Sequence, residues 1–496
     1  MGNGVVTVLD WLRTASRGSD WPSLRALVCG IGVAGYSCAT GLQHVGAQVT
    51  VVDDQDGPEQ REKAAIIETL GGRVLLGPDS ASADPKELLD GIGLVVTSPG
   101  WEPDSPLLVA AREHGVTVFG ELDLAWRLRD PDHPAPWLGV TGTNGKTTTV
   151  QMTAAILRAA GLRADAVGNN GVPVVDAVLD PEAYDALVVE VSSHQLHWTL
   201  AGEYAPSFES AVILNVADDH IAWHGSARAY AETKAKIYQN CRVAAVYNPG
   251  YPITEELLRE ADVIEGCRAI GFTTGVPGIG MVGVVDDVLA DRAFVPQRQT
   301  SAAELGSLSD LPSTAQHNVA NAVAAATLAR AHGVPPAAVR EGLRSFRIGA
   351  HRIELVAEID EVRYVDDSKA TNAHAAAASL HAYDRVVWVA GGQAKGQQFD
   401  ELVRSVGDRL RGVVLLGADR DVIRTALLRH APDVPIREVA PEETDPMNRV
   451  VDEAAALARP GDAVLLAPGC ASRDMYRDYA ERGEAFVAAV ARLRAE

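Results

Sequence analysis

Apolar residues in this chain fall in short runs, separated by stretches in which apolar positions recur at helical spacing. The first clear unit is "LRALVCGIGVAGYSCATGLQHVGAQVTVVDD". Leu24–Val28 reads as a buried strand, a glycine turn and a helix follow, and Val49–Val52 reads as a second strand ending at Asp53. Leu94–Thr97 is another strand-like run. It stops at Ser-Pro-Gly, where Gly100 lets a ligand approach the backbone. Trp137–Val140 predicts a strand and 146–160 a helix, with Met152, Ala155, Ile156 and Ala159 on one face and Gly161 at its C-terminal cap. "ALVVEVSS" and "SAVILNVADDH" are near-continuous apolar runs of the kind buried in parallel sheets. After a helix over 319–331, the strands Val362–Val365, Val386–Ala390, Val413–Leu416 and Ala463–Leu466 alternate with helical patterns. The class is α/β.

A chain of 496 residues is too long for one core, and three domains are expected. We expect a Rossmann-like domain over 1–130, a central P-loop ATPase-like domain over 131–348 and a C-terminal Rossmann-like α/β domain over 349–496. The proline-rich, charged stretch "RLRDPDHPAPW" is the linker candidate between the first two. The second boundary falls near Gly349. Asp10 interrupts the amino-terminal apolar segment, which lacks a basic leader, so no signal peptide is expected. No run approaches a membrane span. Five scattered cysteines without a C-x-x-C pair fit a reducing cytoplasm. The net charge of −22 argues against nucleic-acid binding. An acidic chain that holds phosphates must do so with local lysines, backbone N–H groups and metal ions.

Two phosphate-type motifs stand at strand ends. Gly30, Gly32 and Gly35 form G-x-G-x-x-G, with Asp53 near the distance of the acid in dinucleotide-binding units. "GVTGTNGKTTT" closes like a P-loop at Gly145, Lys146 and Thr147, but Val140 stands where the opening glycine is usual. Lys146 suits the β- and γ-phosphates and the Thr147 hydroxyl suits Mg2+. Glu190 ends a buried strand, where a carboxylate needs either a metal ion or a lysine partner. Asp218, Asp219, His220 and His224 form either a metal or substrate cluster or solvated charge at a strand end. Asn318 and Asn321 share a helix face, as base-reading amides or as surface asparagines. "DDSKATN", "GGQAKG" and "APGCAS" follow strands of one sheet and are expected to share one site. By its residue type alone Lys234 is a helix-surface lysine.

"GVTGTNGKTTT", "VEVSSHQL", "ILNVADDHIAWHG", "YAETKAKIY", "QHNVANA", "HRIE", "DDSKATN" and "GCAS" together resemble the Mur ligases, the amide-forming enzymes of peptidoglycan precursor synthesis. The blocks follow the family's order from about residue 25 to 480. In that family the displaced P-loop glycine is normal. The Rossmann-like first domain and Asn144 point to the member that adds D-glutamate to UDP-N-acetylmuramoyl-L-alanine, with the L-alanine-adding member as the alternative. The resemblance assigns the first domain to UDP rather than to NAD. It implies that Val33, Ala34, Asp53, Asp54 and Gly100 contact the UDP part, and that Asn169, Ser192, Gln195 and His220 reach further along the substrate. Ala34 replaces a hydroxyl residue common in relatives, and Ala315 replaces a glycine.

The resemblance also implies an ATP loop of Gly142, Thr143, Asn144, Gly145, Lys146, Thr147 and Thr148, with Asn318, Asn321, Arg352 and Asp367 at adenosine. Thr147 and Glu190 would hold one Mg2+, and His220 with a CO2-derived carbamate on Lys234 a second. Lys146, His220 and Lys234 are the implied catalytic residues, and Lys369, Thr371, Lys395, Ser472 and Tyr479 the D-glutamate residues. A cytoplasmic monomer working through an acyl phosphate is expected. The rivals are an NAD-linked oxidoreductase, which leaves the P-loop idle, and a nucleotide-binding regulator without turnover.

Overall fold

The computed structural model describes residues 8–347, 349, 351–440 and 445–495, so the first seven residues and the expected boundary at 348 lie outside it. Strands β1 (Arg25–Cys29), β2 (Gln48–Asp53), β3 (Arg73–Leu76), β4 (Leu94–Thr97) and β5 (Thr117–Gly120) form a parallel sheet in the order β3-β2-β1-β4-β5. The order reverses beside β1, and the G-x-G-x-x-G turn sits at its carboxyl end. That is the switch point at which doubly wound sheets bind ligands.

The central sheet contains β6 (Trp137–Thr141), β7 (Ala164–Gly168), β8 (Ala186–Glu190), β9 (Ser210–Ile213), β10 (Ala244–Tyr247) and β11 (Arg268–Phe272). Its edge adds β12 (Met281–Val285), β13 (Val288–Asp291) and β14 (Ala303–Ser307), giving the order β14-β13-β12-β11-β10-β9-β6-β8-β7. The last two join as antiparallel strands. The run "SAVILNVADDH" is a strand only through Ile213, because the chain then leaves the sheet to form a loop.

The sheets on either side of the proline-rich stretch pack against each other. Met1–Val216 and Trp223–Phe346 fall in one compact unit. Val28 and Val51 of the first sheet share a continuous apolar core with Trp137, Val189 and Ile213 of the second. Gly41 on helix Val33–His44 allows the close approach: a Cβ there would stand 2.5 Å from Val175 Cγ1 on helix Val174–Val178.

The second unit comprises Ala217–Ala222 and Arg347–Glu496. Its strands β15 (Glu354–Ile359), β16 (Val362–Asp366), β17 (Val386–Gly391), β18 (Leu410–Leu416), β19 (Ile436–Glu438) and β20 (Ala463–Leu466) are ordered β15-β16-β20-β17-β18-β19. Only the β15–β16 pair is antiparallel. Apolar clusters cover both faces, which is why these strands read as continuous apolar runs. No helix of the described residues is long and apolar enough to cross a membrane.

Candidate active site

Strand β6 runs through Val140 to Thr141, so the phosphate loop begins its turn at Gly142 instead of at the usual position. Gly145 caps helix Lys146–Ala159 with φ +86°, and a Cβ there would meet Asn321 Oδ1 at 2.4 Å. Only glycine serves both demands. Lys146 Nζ donates to the carbonyls of Gly142 (2.8 Å) and Thr143 (3.0 Å), which holds the ammonium over the loop. Thr147 and Thr148 are buried in the first helical turn, and Asn170 Nδ2 donates to Thr147 Oγ1 at 3.3 Å. A helix N-terminus with exposed loop N–H groups suits phosphate.

Parallel pairing sets Val140 opposite Glu190, so the end of β8 lies beside the strand that feeds the loop. Glu190 is 2% exposed. Its Oε1 accepts a 2.9 Å hydrogen bond from Asn169 Nδ2, whereas Oε2 is buried without a hydrogen-bond partner. Among the described residues no lysine is paired with Glu190, so the ion-pair alternative is not realised there. A buried carboxylate oxygen left without a partner, at the end of the strand beside the one that feeds the phosphate loop, fits a hard cation such as Mg2+.

Asn318 and Asn321 lie near the start of helix Gln316–Ala331 and are both buried, which corrects the surface-asparagine alternative. Thr149 Oγ1 donates to Asn321 Oδ1 at 3.4 Å. Lys234 is likewise no surface residue. It is 1% exposed, its Nζ donates to Gly142 O at 3.0 Å, and it stands 4.4 Å from the Tyr230 ring centroid.

Sequence reasoning missed Tyr230 and Asn215. Tyr230 Oη hydrogen-bonds Thr143 Oγ1 at 3.1 Å, and its spacing of four from Lys234 on helix Ala227–Ala235 was the available signal. Asn215 accepts from Asn144 N (2.9 Å), donates to Asn144 O (3.1 Å) and offers its own carbonyl to Thr143 N (3.0 Å). It follows an apolar strand, as Glu190 ends one.

The Asp218–His224 run does not assemble as a metal cluster. Among the described residues, no three His, Cys, Asp or Glu side chains are grouped to hold a metal ion. His224 Nε2 instead pairs with Ser193 Oγ at 3.0 Å within an aromatic group containing Trp223 and Tyr230. His220 belongs to the segment assigned to the second unit and has φ +53° with its N–H on Asp219 Oδ1.

In the first sheet, Asp53 Oδ2 accepts from Ile31 N at 2.6 Å, and its Oδ1 accepts from Gln55 N at 2.9 Å. The acid therefore clamps the glycine loop from the neighbouring strand. Beside it Asp54 has its pKa raised by burial and by Asp53. Val33 and Gly100 are exposed at the same strand ends, with Ala34 half-buried. Ser192 and Gln195 form a capping box, with Gln195 Oε1 accepting from Ser192 N at 3.0 Å. Gln195 Nε2 also reaches Glu121 Oε2 at 3.4 Å, so both side chains have structural work.

The three loops expected to meet in the second unit do so. Gln393 and Ala471 exchange backbone hydrogen bonds of 2.8 and 3.0 Å, and Gly469 N donates to Ala370 O at 2.8 Å. Lys369 Nζ lies 3.7 Å from the Tyr479 ring centroid, and Lys395 has φ +50°. Thr371 and Ser472 sit on the same loops. Buried Arg482, which the sequence did not single out, binds Ser368 O (2.8 Å) and Cys470 O (3.1 Å) and so ties two of them together. Burial pushes the Asp367 carboxyl up to about 7, opposed by Ser379 and Arg352.

Comparison with known proteins covers the same regions. Residues 24–120 match the model described as Mur ligase MurD-like, N-terminal domain, residues 140–329 the Mur ligase middle domain, and residues 351–470 the Mur ligase, glutamate ligase domain. The UDP-N-acetylmuramoylalanine--D-glutamate ligase of Streptomyces avermitilis is 56% identical, over 96% of this chain and 100% of its own. The protein of that name from Thermobifida fusca is 52% identical over 95% and 98%. Among solved structures, UDP-N-acetylmuramate-alanine ligase MurC from Thermotoga maritima aligns with a TM-score of 0.56 at 18% identity, covering 95% of this chain and 100% of its own. That likeness concerns the fold.

Proposed function

The chain belongs to the Mur ligase family, and from that premise we propose how its residues serve the reaction. It is an ATP-dependent, ADP-forming ligase that adds D-glutamate to UDP-N-acetylmuramoyl-L-alanine in peptidoglycan precursor synthesis. The observation that carries this reading is the likeness to relatives of one name, running unbroken from the first sheet to the last.

In the proposed reaction the L-alanine carboxylate attacks the γ-phosphorus of ATP and ADP leaves. The amine of D-glutamate then attacks the acyl phosphate, and the tetrahedral adduct expels phosphate. Such chemistry depends on positioning and charge neutralisation. The loop from Gly142 to Thr148 receives the phosphates, Lys146 turns from its loop carbonyls to them, and Asn215 and Tyr230 keep the loop in shape. Thr147 and Glu190 would hold Mg2+, which when bound neutralises phosphate charge; Glu190 Oε2 supports this. The finer assignments rest on the family pattern. His220 and a carbamylated Lys234 would hold a second ion, and Asn318, Asn321, Arg352 and Asp367 would bind adenosine. Val33, Ala34, Asp53, Asp54 and Gly100 hold UDP within a 1–130 domain, with Asn169, Ser192 and Gln195 further along the substrate. Domain 131–348 binds ATP. Lys369, Thr371, Lys395, Ser472 and Tyr479 in 349–496 receive D-glutamate. The enzyme works in the cytoplasm.

The test is phosphate release from ATP with UDP-N-acetylmuramoyl-L-alanine and D-glutamate, L-glutamate or L-alanine as acceptor. Only D-glutamate is expected to sustain it. Equal release with L-alanine would overturn the acceptor assignment.

A further inference from the structure

Phosphate chemistry is assigned to the P-loop, yet a second cationic concavity lies at the other end of the central sheet. The P-loop follows the carboxyl end of β6, whereas Arg268 opens β11, which is parallel to it through β9 and β10. Arg268, Arg298 and Arg330 line an open groove of about 890 Å³ with Phe294, Gln297 and Thr300. Among the described residues no carboxylate lines it, although the chain carries a net charge of −22.

The nearest acid is already engaged. Asp291 is fully buried, with Oδ2 on Arg330 Nε (2.8 Å) and Oδ1 accepting from Ala293 N (2.7 Å) and Phe294 N (2.8 Å). Arg330 is thus a neutralised wall of the groove. Arg268 differs: it donates to Ala293 O at 2.5 Å and stands 5.2 Å from the Phe294 ring centroid, and among the described residues no carboxylate is bonded to it. Burial and the charge of Arg298 both disfavour its cationic form, an effect that Asp291 only partly opposes. The exposed Arg298 side chain makes no ion pair or hydrogen bond among the described residues. Two guanidinium groups left to repel each other at one groove are an arrangement that an anion relieves, and their planar forks match phosphate oxygens.

We propose that this groove is a binding site for a phosphate-bearing anion, separate from the P-loop, with Arg268 and Arg298 as its cationic contacts. Its separateness follows from helix Gln316–Ala331, which carries Asn321 beside the P-loop and Arg330 at the groove. Nine residues at 1.5 Å rise put them about 14 Å apart.

The experiment is calorimetric titration of pyrophosphate, without Mg2+, into full-length Lys146→Ala protein, whose P-loop has lost its cation. Pyrophosphate is expected to bind, and Lys146→Ala/Arg298→Glu to bind it at least tenfold more weakly with an unchanged melting temperature. Arg268→Gln in the same background is expected to weaken it in the same direction. AMP in parallel distinguishes the source. A matching loss with Arg298→Glu assigns nucleotides to the site, and no AMP loss assigns simple phosphates. Unchanged pyrophosphate affinity in Arg298→Glu, or a loss there without any in Arg268→Gln, would overturn the proposal.

Discussion

Single side chains decide the chemistry. Glu190 holds one oxygen on Asn169 and keeps the other free of hydrogen bonds in a buried site, so its charge matters more than its shape. Glu190→Gln retains the Oε1 contact and removes the anion. We expect a fall in turnover of roughly a hundredfold or more, the scale on which lost transition-state electrostatics act, partly restored by raising Mg2+. Phosphate release across a Mg2+ series measures both, and a normal Mg2+ response would remove Glu190 from the metal site. Lys234 is the second case. A free ammonium has no lone pair for Mg2+, whereas a carbamate supplies anionic oxygens. Lys234→Ala is expected to be nearly inactive and to regain part of its activity with acetate. Full activity without additive would refute the carbamate.

At the scale of elements, one carboxyl joins two helices, one following the first sheet and one on the central sheet. Glu121 opens helix Glu121–Leu128, and its Oε1 accepts from Val174 N at 2.6 Å across the contact with the central sheet. Burial pushes its pKa from the ordinary 4.5 up to about 7. Between those values the folded protein holds a proton that the unfolded chain has released, so this group makes stability fall as pH rises through that window. Each pKa unit corresponds to about 1.4 kcal/mol. Glu121→Gln keeps an acceptor for Val174 N and cannot titrate. The melting temperature of this variant is expected to decline less between pH 5 and 7 than that of the parent. An identical decline in both proteins would show that Glu121 is not the proton carrier.

For the whole molecule, the prediction is a division of substrates among sheets. Asp53→Ala loses the clamp on Ile31 N in the first sheet. Its KM for the UDP substrate is expected to rise about tenfold or more, as the loss of a charge-assisted hydrogen bond would allow, while KM for ATP stays near normal. Equal increases would mean that the first sheet does not own the UDP. Lys395→Ala, on the joined loops of the second unit, is expected to raise KM mainly for D-glutamate. If only the ATP requirement rose, those loops would serve the nucleotide.

What the sequence determined by itself was local: the three alternating α/β sets, the strand ends at Asp53 and Glu190, and the phosphate loop with its displaced glycine. These depend on periodicity and on backbone demands within a few residues of each other. The short edge strands β12 to β14 were not legible, because an antiparallel edge is specified by its pairing partner and carries little period of its own. Nor did the chain reveal that Lys234 and both asparagines are buried, or that Asn215, Tyr230 and Arg482 brace the loops. Nor did the proline-rich stretch show that the apolar faces on either side of it share one core. Tertiary structure decided these points because burial and hydrogen-bond partners belong to residues brought together across long stretches of chain, and no window of sequence contains both sides of such a contact.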